Sequence, residues 1–390
     1  MTKTASIGLL CLVVVAGMSP WFATAAALPD MVREGGISAS RQALLSSGVQ
    51  AGFVIGALIS AFLGLADRFD PRRVVACAAL MNGIATAGLF IAPLGSDAAI
   101  ALRVLTGAGF AGIYPPGMKI AVGWGLKDRG FLVGVLVAAL TLGSGAPHLV
   151  AWAGGADWRI VIGVVAAASL FAALAAPFVG LGPHHAKAPA FSAKVIGLMW
   201  TDRRIRAATG GYLGHMWELY ALWGWIGVAA AAGYAASMDQ ASAESLAALT
   251  AFLAIAAGAA LCAPAGKLAD RFGKARISGA AMALSGSAAV ATALAYGGPV
   301  WLSFALLIFW GAMVIPDSAQ FSAMIADAAP PEAAGSLMTM QTALGFTLTI
   351  FTVQATPIAA AHIGWPPTLA LMALGPAFGI AALRPFLGRL

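Results

Sequence analysis

Two short charged segments, alike in sequence and roughly half a chain-length apart, interrupt an otherwise nearly unbroken succession of apolar runs. The later one reads Gly266-Lys267-Leu268-Ala269-Asp270-Arg271-Phe272-Gly273-Lys274-Ala275-Arg276, and the earlier one Leu65-Ala66-Asp67-Arg68-Phe69-Asp70-Pro71-Arg72-Arg73. Repetition at that spacing implies a duplicated unit, and duplicated helix bundles are a common construction of secondary transporters. Charge confined to the same hairpin of each copy implies that the rest of each copy avoids water. Of the 390 residues, 61% are hydrophobic and 9% charged, against roughly 25% charged in a water-soluble domain. Lipid is the solvent this chain is written for.

Apolar runs near the ~20 residues needed to cross a bilayer fall at 7–28, 44–65, 74–91, 98–124, 131–151 and 160–179. A second set follows at 207–230, 246–265, 277–296, 300–325, 336–358 and 363–383. The expected fold is therefore an all-α membrane protein of twelve spans in two pseudo-symmetric six-helix bundles, 1–181 and 207–390. The segment between them, 182–206, carries His184, His185, Lys187, Lys194, Arg203, Arg204 and Arg206. It reads as a cytoplasmic linker with a short interfacial helix around 191–200. Lys3 and the apolar stretch ending Ala25-Ala26-Ala27 imitate a signal peptide. Removing that stretch would leave an odd span count, so it is read as a retained first helix.

The net charge of +7 does not point to nucleic acid, because the basic residues sit in short segments beside apolar runs. There they set orientation. With the N-terminus inside, only Arg33, Arg41 and Arg159 fall on the outer side, so both termini are expected to be cytoplasmic in a bacterial-type inner membrane. Cys11, Cys77 and Cys262 lie within apolar runs without paired spacing and read as small buried hydrophobes.

The second hairpin follows the loop pattern G-x-L-A-D-R-x-G-[RK]-x-[RK] at every position. In the first, Leu63 replaces the leading glycine and Asp70-Pro71 replaces Gly-Arg. Arg103-Val104-Leu105-Thr106-Gly107-Ala108-Gly109 is similar to R-x-x-[QT]-G-x-G, and Trp158-Arg159 is a weaker echo. With these motifs the chain resembles the major facilitator superfamily over essentially its full length. The resemblance implies that Asp67, Arg68, Gly266, Asp270, Arg271 and Gly273 form a cytoplasmic gate latching the two halves. It also implies that the first, fourth, seventh and tenth spans line a central cavity, and it links the arginine at position 103 to proton coupling.

Ionisable groups inside spans are costly and are functional candidates by default. Here they are Arg103 and Lys119 in the fourth span, Glu218 in the seventh and Asp317 in the tenth, with His148 and His215 adding imidazoles. His215, Glu218, Leu222 and Trp225 share one helical face, as do Trp310, Asp317 and Gln320. Arg103, Gly107, Phe110, Tyr114 and Gly117 form a stripe, and Thr141, Ser144 and His148 another. Trp21, beside Pro20, would complete an aromatic wall. Gly112-Ile113-Tyr114-Pro115-Pro116 and Met313-Val314-Ile315-Pro316-Asp317 echo each other. Proline frees backbone carbonyls, so the fourth and tenth spans should break near one depth. Lys119 reads as a snorkelling cation, and Trp223 and Trp365 as interfacial anchors.

The expected cavity set is Arg103, Glu218, Asp317, His215, Tyr114, Trp21, His148, Gln320 and Trp310. Glu218 or Asp317 would carry a proton, with His215 sharing it, and Arg103 would bind an anionic group or neutralise a carboxylate. The function that fits is a monomeric, proton-coupled secondary transporter of a small polar or charged organic solute. It would use an ion gradient and no cofactor, because there is no G-x-x-x-x-G-K-[ST] to bind nucleotide. A drug–proton antiporter is the alternative, although Gly143-Ser144-Gly145-Ala146-Pro147-His148 keeps only the proline of the antiporter element G-P-x-x-G-G. A membrane-embedded enzyme or metal carrier built on His215 and Glu218 would need three or four ligands, and no H-E-x-x-H occurs.

Overall fold

The computed structural model describes residues 1–125, 128–154, 157–184 and 192–388, apart from the side chains at 66, 67, 129, 130, 331 and 332. His185, Lys187, the start of the expected linker helix at 191 and the Asp67 side chain lie outside the described residues. In the first half, α1 (Lys3–Met18) and α2 (Ala23–Gly35) form one span bent at residues 19–22. Then come α3 (Ala39–Leu63), the one-turn α4 (Leu65–Arg68), α5 (Pro71–Ala87), α6 (Asp97–Phe110) with α7 (Tyr114–Val122), α8 (Arg129–Ala153) and α9 (Trp158–Ala175). In the second half a short α10 (Leu198–Thr201) leads into α11 (Arg203–Tyr234), α12 (Gln240–Phe272) and α13 (Lys274–Ala295). There follow α14 (Val300–Val314) with α15 (Ser318–Ala328), α16 (Pro331–Ile363), and α17 (Trp365–Met372) with α18 (Leu374–Leu387).

Among the described residues, eleven helices, counting bent ones once, are long and apolar enough to cross a membrane. The remaining expected span, 207–230, lies inside α11, which is not among them. Its 32 residues make a helix of about 48 Å, longer than the roughly 30 Å hydrocarbon core. What sets it apart is polarity: it starts on Arg203, Arg204 and Arg206 and carries His215 and Glu218 inside. Most of its length is buried against neighbouring helices.

Local chemistry sets the ends. Small polar side chains accept the free N–H groups at several starts: Thr2 from Ala5, Ser96 from Ala99, Asp202 from Arg204 and Ile205, and Asp239 from Ser242. Each such cap is worth about 1 kcal/mol. The departure of the first hairpin from the repeated pattern has this cause. Asp70 caps α5, Pro71 fills its first position, and Asp70 also holds the Arg72 guanidinium at 2.6 Å. That ion pair keeps the Asp70 carboxyl below the usual carboxylate range. In the second hairpin the turn is made by Gly273 at φ 95°, a conformation that a side chain would strain.

The fourth and tenth spans break at 111–113 and 315–317, and the first breaks at 19–22. The halves of the chain meet along two seams, α3 against α16 and α8 against α12. Within the first half, α3 and α6 approach almost backbone to backbone. A β-carbon at Gly52 would lie 1.9 Å from Val104 O, and one at Gly107 would lie 2.0 Å from Val49 O. Neither carbonyl can move without its helix. Gly107→Ala is therefore expected to force α3 and α6 apart and destabilise the fold by about 1–3 kcal/mol or more. An unchanged thermal midpoint of the detergent-purified variant would show that the helices are not locked there.

Candidate functional site

α11 and the broken α14–α15 span bring one polar group together. Glu218, 1% exposed, receives Trp310 Nε1 on Oε1 at 2.6 Å and Ser285 Oγ, from α13, on Oε2 at 2.9 Å. One turn nearer the hairpin end, His215 Nδ1 stands 2.9 Å from Asp317 Oδ1. The distance suits an ion pair, but the alignment is too poor for a hydrogen bond, and both atoms otherwise lack a partner. Tyr212 and Phe321 pack their rings around His215. Gln320, also buried, binds Asp317 O through its backbone N–H. Thus His215, Glu218, Trp310, Asp317 and Gln320 are brought together, as their helical spacing implies, with Ser285 added.

Arg103 is not part of that group. It is 0% exposed and reaches the α1–α2 break, where Nη1 donates to Pro20 O at 3.0 Å and Nη2 to Trp21 O at 2.7 Å. The expected single chamber gathering all the interior charges is replaced by two sites, a cation in the first half and acids in the second. The reason is local: the break loosens the backbone bonding there, Pro20 O receiving the Ala23 N–H at a long 3.3 Å, and a guanidinium fork meets Pro20 O and Trp21 O at once.

Between those two sites the halves meet through rings. Trp21 stacks on Phe110 at 4.6 Å within the first half and lies 5.7 Å from both Tyr220 and Phe346 of the second. Phe53 meets Phe346 at 4.3 Å. Trp223, expected as an interfacial anchor, is instead buried, edge-on to Phe22 at 6.0 Å. α11 runs through the centre of the molecule, so an aromatic on it meets protein before lipid. Trp365 is half-buried. Trp225 leaves the Glu218 face and donates to Val353 O of α16. His148 is buried beside Gly227 of α11, across the seam. Tyr114 opens α7 and is half-buried, as is Lys119. Cys77, expected to be buried, faces outward from α5.

At the hairpin end, Arg68, Asp270, Arg271 and Gly273 are exposed, and Gly266 is half-buried within α12. Asp270 borders an open cleft of about 400 Å³ with Arg204, Lys274 and Asp327. Lys274 pairs with Asp327 of its own half. Among the described residues, no ion pair of Arg68, Asp270 or Arg271 reaches the opposite half.

The far end is fastened instead. Arg33 of α2 bridges to Glu244 of α12 at 2.6 Å. Behind it, Trp158 donates to Asp30 and Glu34, and Arg159 makes a two-pronged bond to Glu34. Deeper in, Gln354 donates to Ser47 across the seam at 3.1 Å. Sequence reasoning missed this latch, because charges in short connections are read for orientation alone. Arg33→Ala and Glu244→Ala are each expected to loosen it by about 0.5–1 kcal/mol, a roughly 2–5-fold shift in opening. The readout is labelling of Ser47→Cys by an impermeant thiol reagent, with the native cysteines removed. Equal labelling rates with and without the ion pair would remove its role.

Among the described residues, no three His, Cys, Asp or Glu side chains converge as a metal site requires. A sequence model of the family described as the Major Facilitator Superfamily matches residues 9–352. The gallate transporter of Pseudomonas putida is 29% identical over 140 residues, a match spanning 31% of this chain and 30% of that protein. The fold is similar to the partially occluded inward-open xylose transporter XylE from E. coli, with TM-score 0.74 and 12% identity over 100% of both chains. It is also similar to a bacterial homologue of the human lysosomal transporter Spinster, inward-facing and occupied, with TM-score 0.74 and 15% identity over 99% and 97% of the chains. For the nucleoside transporter NupG the TM-score is 0.72, with 14% identity over 98% and 100%.

Proposed function

The chain belongs to the Major Facilitator Superfamily of transporters, and from that premise we propose a secondary active, proton-coupled carrier. Its substrate is a small polar or charged organic solute, moved by alternating access as 1–181 and 207–390 rock about the two seams. The hairpin end faces the cytoplasm of a bacterial-type inner membrane, in keeping with the positive-inside rule. The protein works as a monomer on an ion gradient, without a cofactor. The partial match to a gallate transporter favours an organic acid as cargo.

One observation carries the proton reading. Glu218 is shielded from water and, among the described residues, makes no ion pair, yet both its oxygens have partners that serve the charged and the neutral acid alike. Trp310 Nε1 can only donate, and it fixes Oε1. The Ser285 hydroxyl donates to Oε2 at 2.9 Å and also lies 3.2 Å from Met282 O. When Glu218 takes a proton on Oε2, the hydroxyl can turn its hydrogen to Met282 O and accept from the acid instead. The site therefore holds or releases a proton without leaving a buried polar atom unmet. His215 and Asp317, a turn away, supply a second titratable pair. Solute flux into proteoliposomes, measured with and without an imposed pH gradient, tests this reading. Accumulation that ignores the gradient would end it.

A further inference from the structure

The rings between the halves sit among hydrogen-bond donors that have nothing to bind. Trp21 Nε1, Trp223 Nε1 and Arg103 Nε are all buried and all without an acceptor. Leaving a buried donor unmet costs about 1–3 kcal/mol. A cluster needed only as an apolar plug would be as well served by phenylalanine. Arg103 deepens the imbalance: its bonds go to two neutral carbonyls, and among the described residues it has no ion pair. A fully buried guanidinium without a counter-ion is an expensive arrangement. The buried acids, Glu218 and Asp317, lie in the other half of the molecule. On α3, Gln50 lies one turn from Phe53, and its Oε1 lacks a donor.

The cross-half rings are in contact but not stacked. Trp21 is tilted by 40° to Tyr220 and by 53° to Phe346. Parting the halves by about one ring thickness, 3.5–4.0 Å, would let a flat ring lie against Trp21 on one side and Tyr220 and Phe346 on the other. What the place lacks is a planar body, a negative charge and hydrogen-bond acceptors. A neutral sugar or nucleoside leaves the charge unanswered, and an aliphatic acid leaves the rings unused.

We propose that this cross-half cluster seats the substrate, and that the substrate is an aromatic carboxylate. Its ring lies between Trp21 and Tyr220–Phe346, and its carboxylate is taken by the Arg103 guanidinium. A ring hydroxyl, where present, donates to Gln50 Oε1. This rests on the transporter reading above and deepens it by naming the cargo.

The test is equilibrium binding to the full-length protein in nanodiscs at one fixed pH, followed by tryptophan fluorescence and corrected for empty nanodiscs. Benzoate and 4-hydroxybenzoate are expected to bind saturably. Cyclohexanecarboxylate, which keeps the charge but not the ring, should bind at least about tenfold more weakly, and so should benzyl alcohol, which keeps the ring but not the charge. Phe346→Leu and Tyr220→Leu should each weaken benzoate about tenfold, and a folded protein in either variant is enough to decide. Absence of saturable benzoate binding, or equal binding of cyclohexanecarboxylate or benzyl alcohol, overturns the assignment. No gradient is used, so benzoate that binds but is not driven by pH would sink the proton reading alone. Gradient-driven flux of a solute without a ring, with no benzoate binding, would sink the aromatic assignment alone.

Discussion

Glu218→Gln is expected to lower pH-gradient-driven accumulation by about 100-fold, close to the upper end of what coupling between two sites supplies. Gradient-independent exchange of the same solute should persist. The substitution is nearly isosteric. Trp310 Nε1 can still donate to the remaining amide oxygen, and the Ser285 hydroxyl can accept from the new amide group, so the helices around it have no reason to move. What disappears is the exchangeable proton. Asp317→Asn tests whether the pair with His215 is the carrier instead, since it removes the charge facing Nδ1. Gradient-driven accumulation that survives in both variants would refute the coupling assignment. Loss in one alone identifies which acid loads the proton.

The second large effect concerns Arg103. Arg103→Ala strips Trp21 O of its guanidinium donor, a loss worth about 1–3 kcal/mol when buried and unmet, and leaves Pro20 O with the Ala23 N–H at 3.3 Å. It also opens a hole where a large, fully buried side chain stood. Loss of an uncompensated charge offsets part of this, but the net expectation is a thermal midpoint lower by about 5 °C and a failure of transport. Arg103→Lys should rescue little, because an ammonium cannot present the planar fork that meets both carbonyls together. A full rescue by lysine, in stability and in transport, would mean that charge alone matters there.

Most of the fold could be read from the order of apolar runs and from three prolines. Pro115-Pro116 and Pro316 mark the breaks in the fourth and tenth spans because they remove amide donors wherever they stand. Glu218, His215, Trp310 and Asp317 were legible as partners because helical periodicity places them on facing surfaces. Arg103 was legible as an intramembrane charge but not in its contacts. Its acceptors are backbone carbonyls of another helix, which carry no side-chain signature. Ser285 gave no signal either, lying in a run of alanine, serine and glycine. Trp223 was misread for a related reason: aromatic residues mark a membrane boundary only on helices that reach lipid, and α11 does not present that residue to it.

The broken central spans are not fastened alike. The first is riveted at its elbow by a guanidinium that donates to two backbone carbonyls. The tenth resumes at Asp317, the residue just ahead of α15, whose side chain makes no capping bond and confronts a histidine. A carboxylate at a helix start steadies the first turn through the axial dipole by about 0.3–1 kcal/mol. The neutral acid withdraws that support. The tenth joint is thus steadied through the charge of a single side chain, where the first is clasped by a fork of hydrogen bonds.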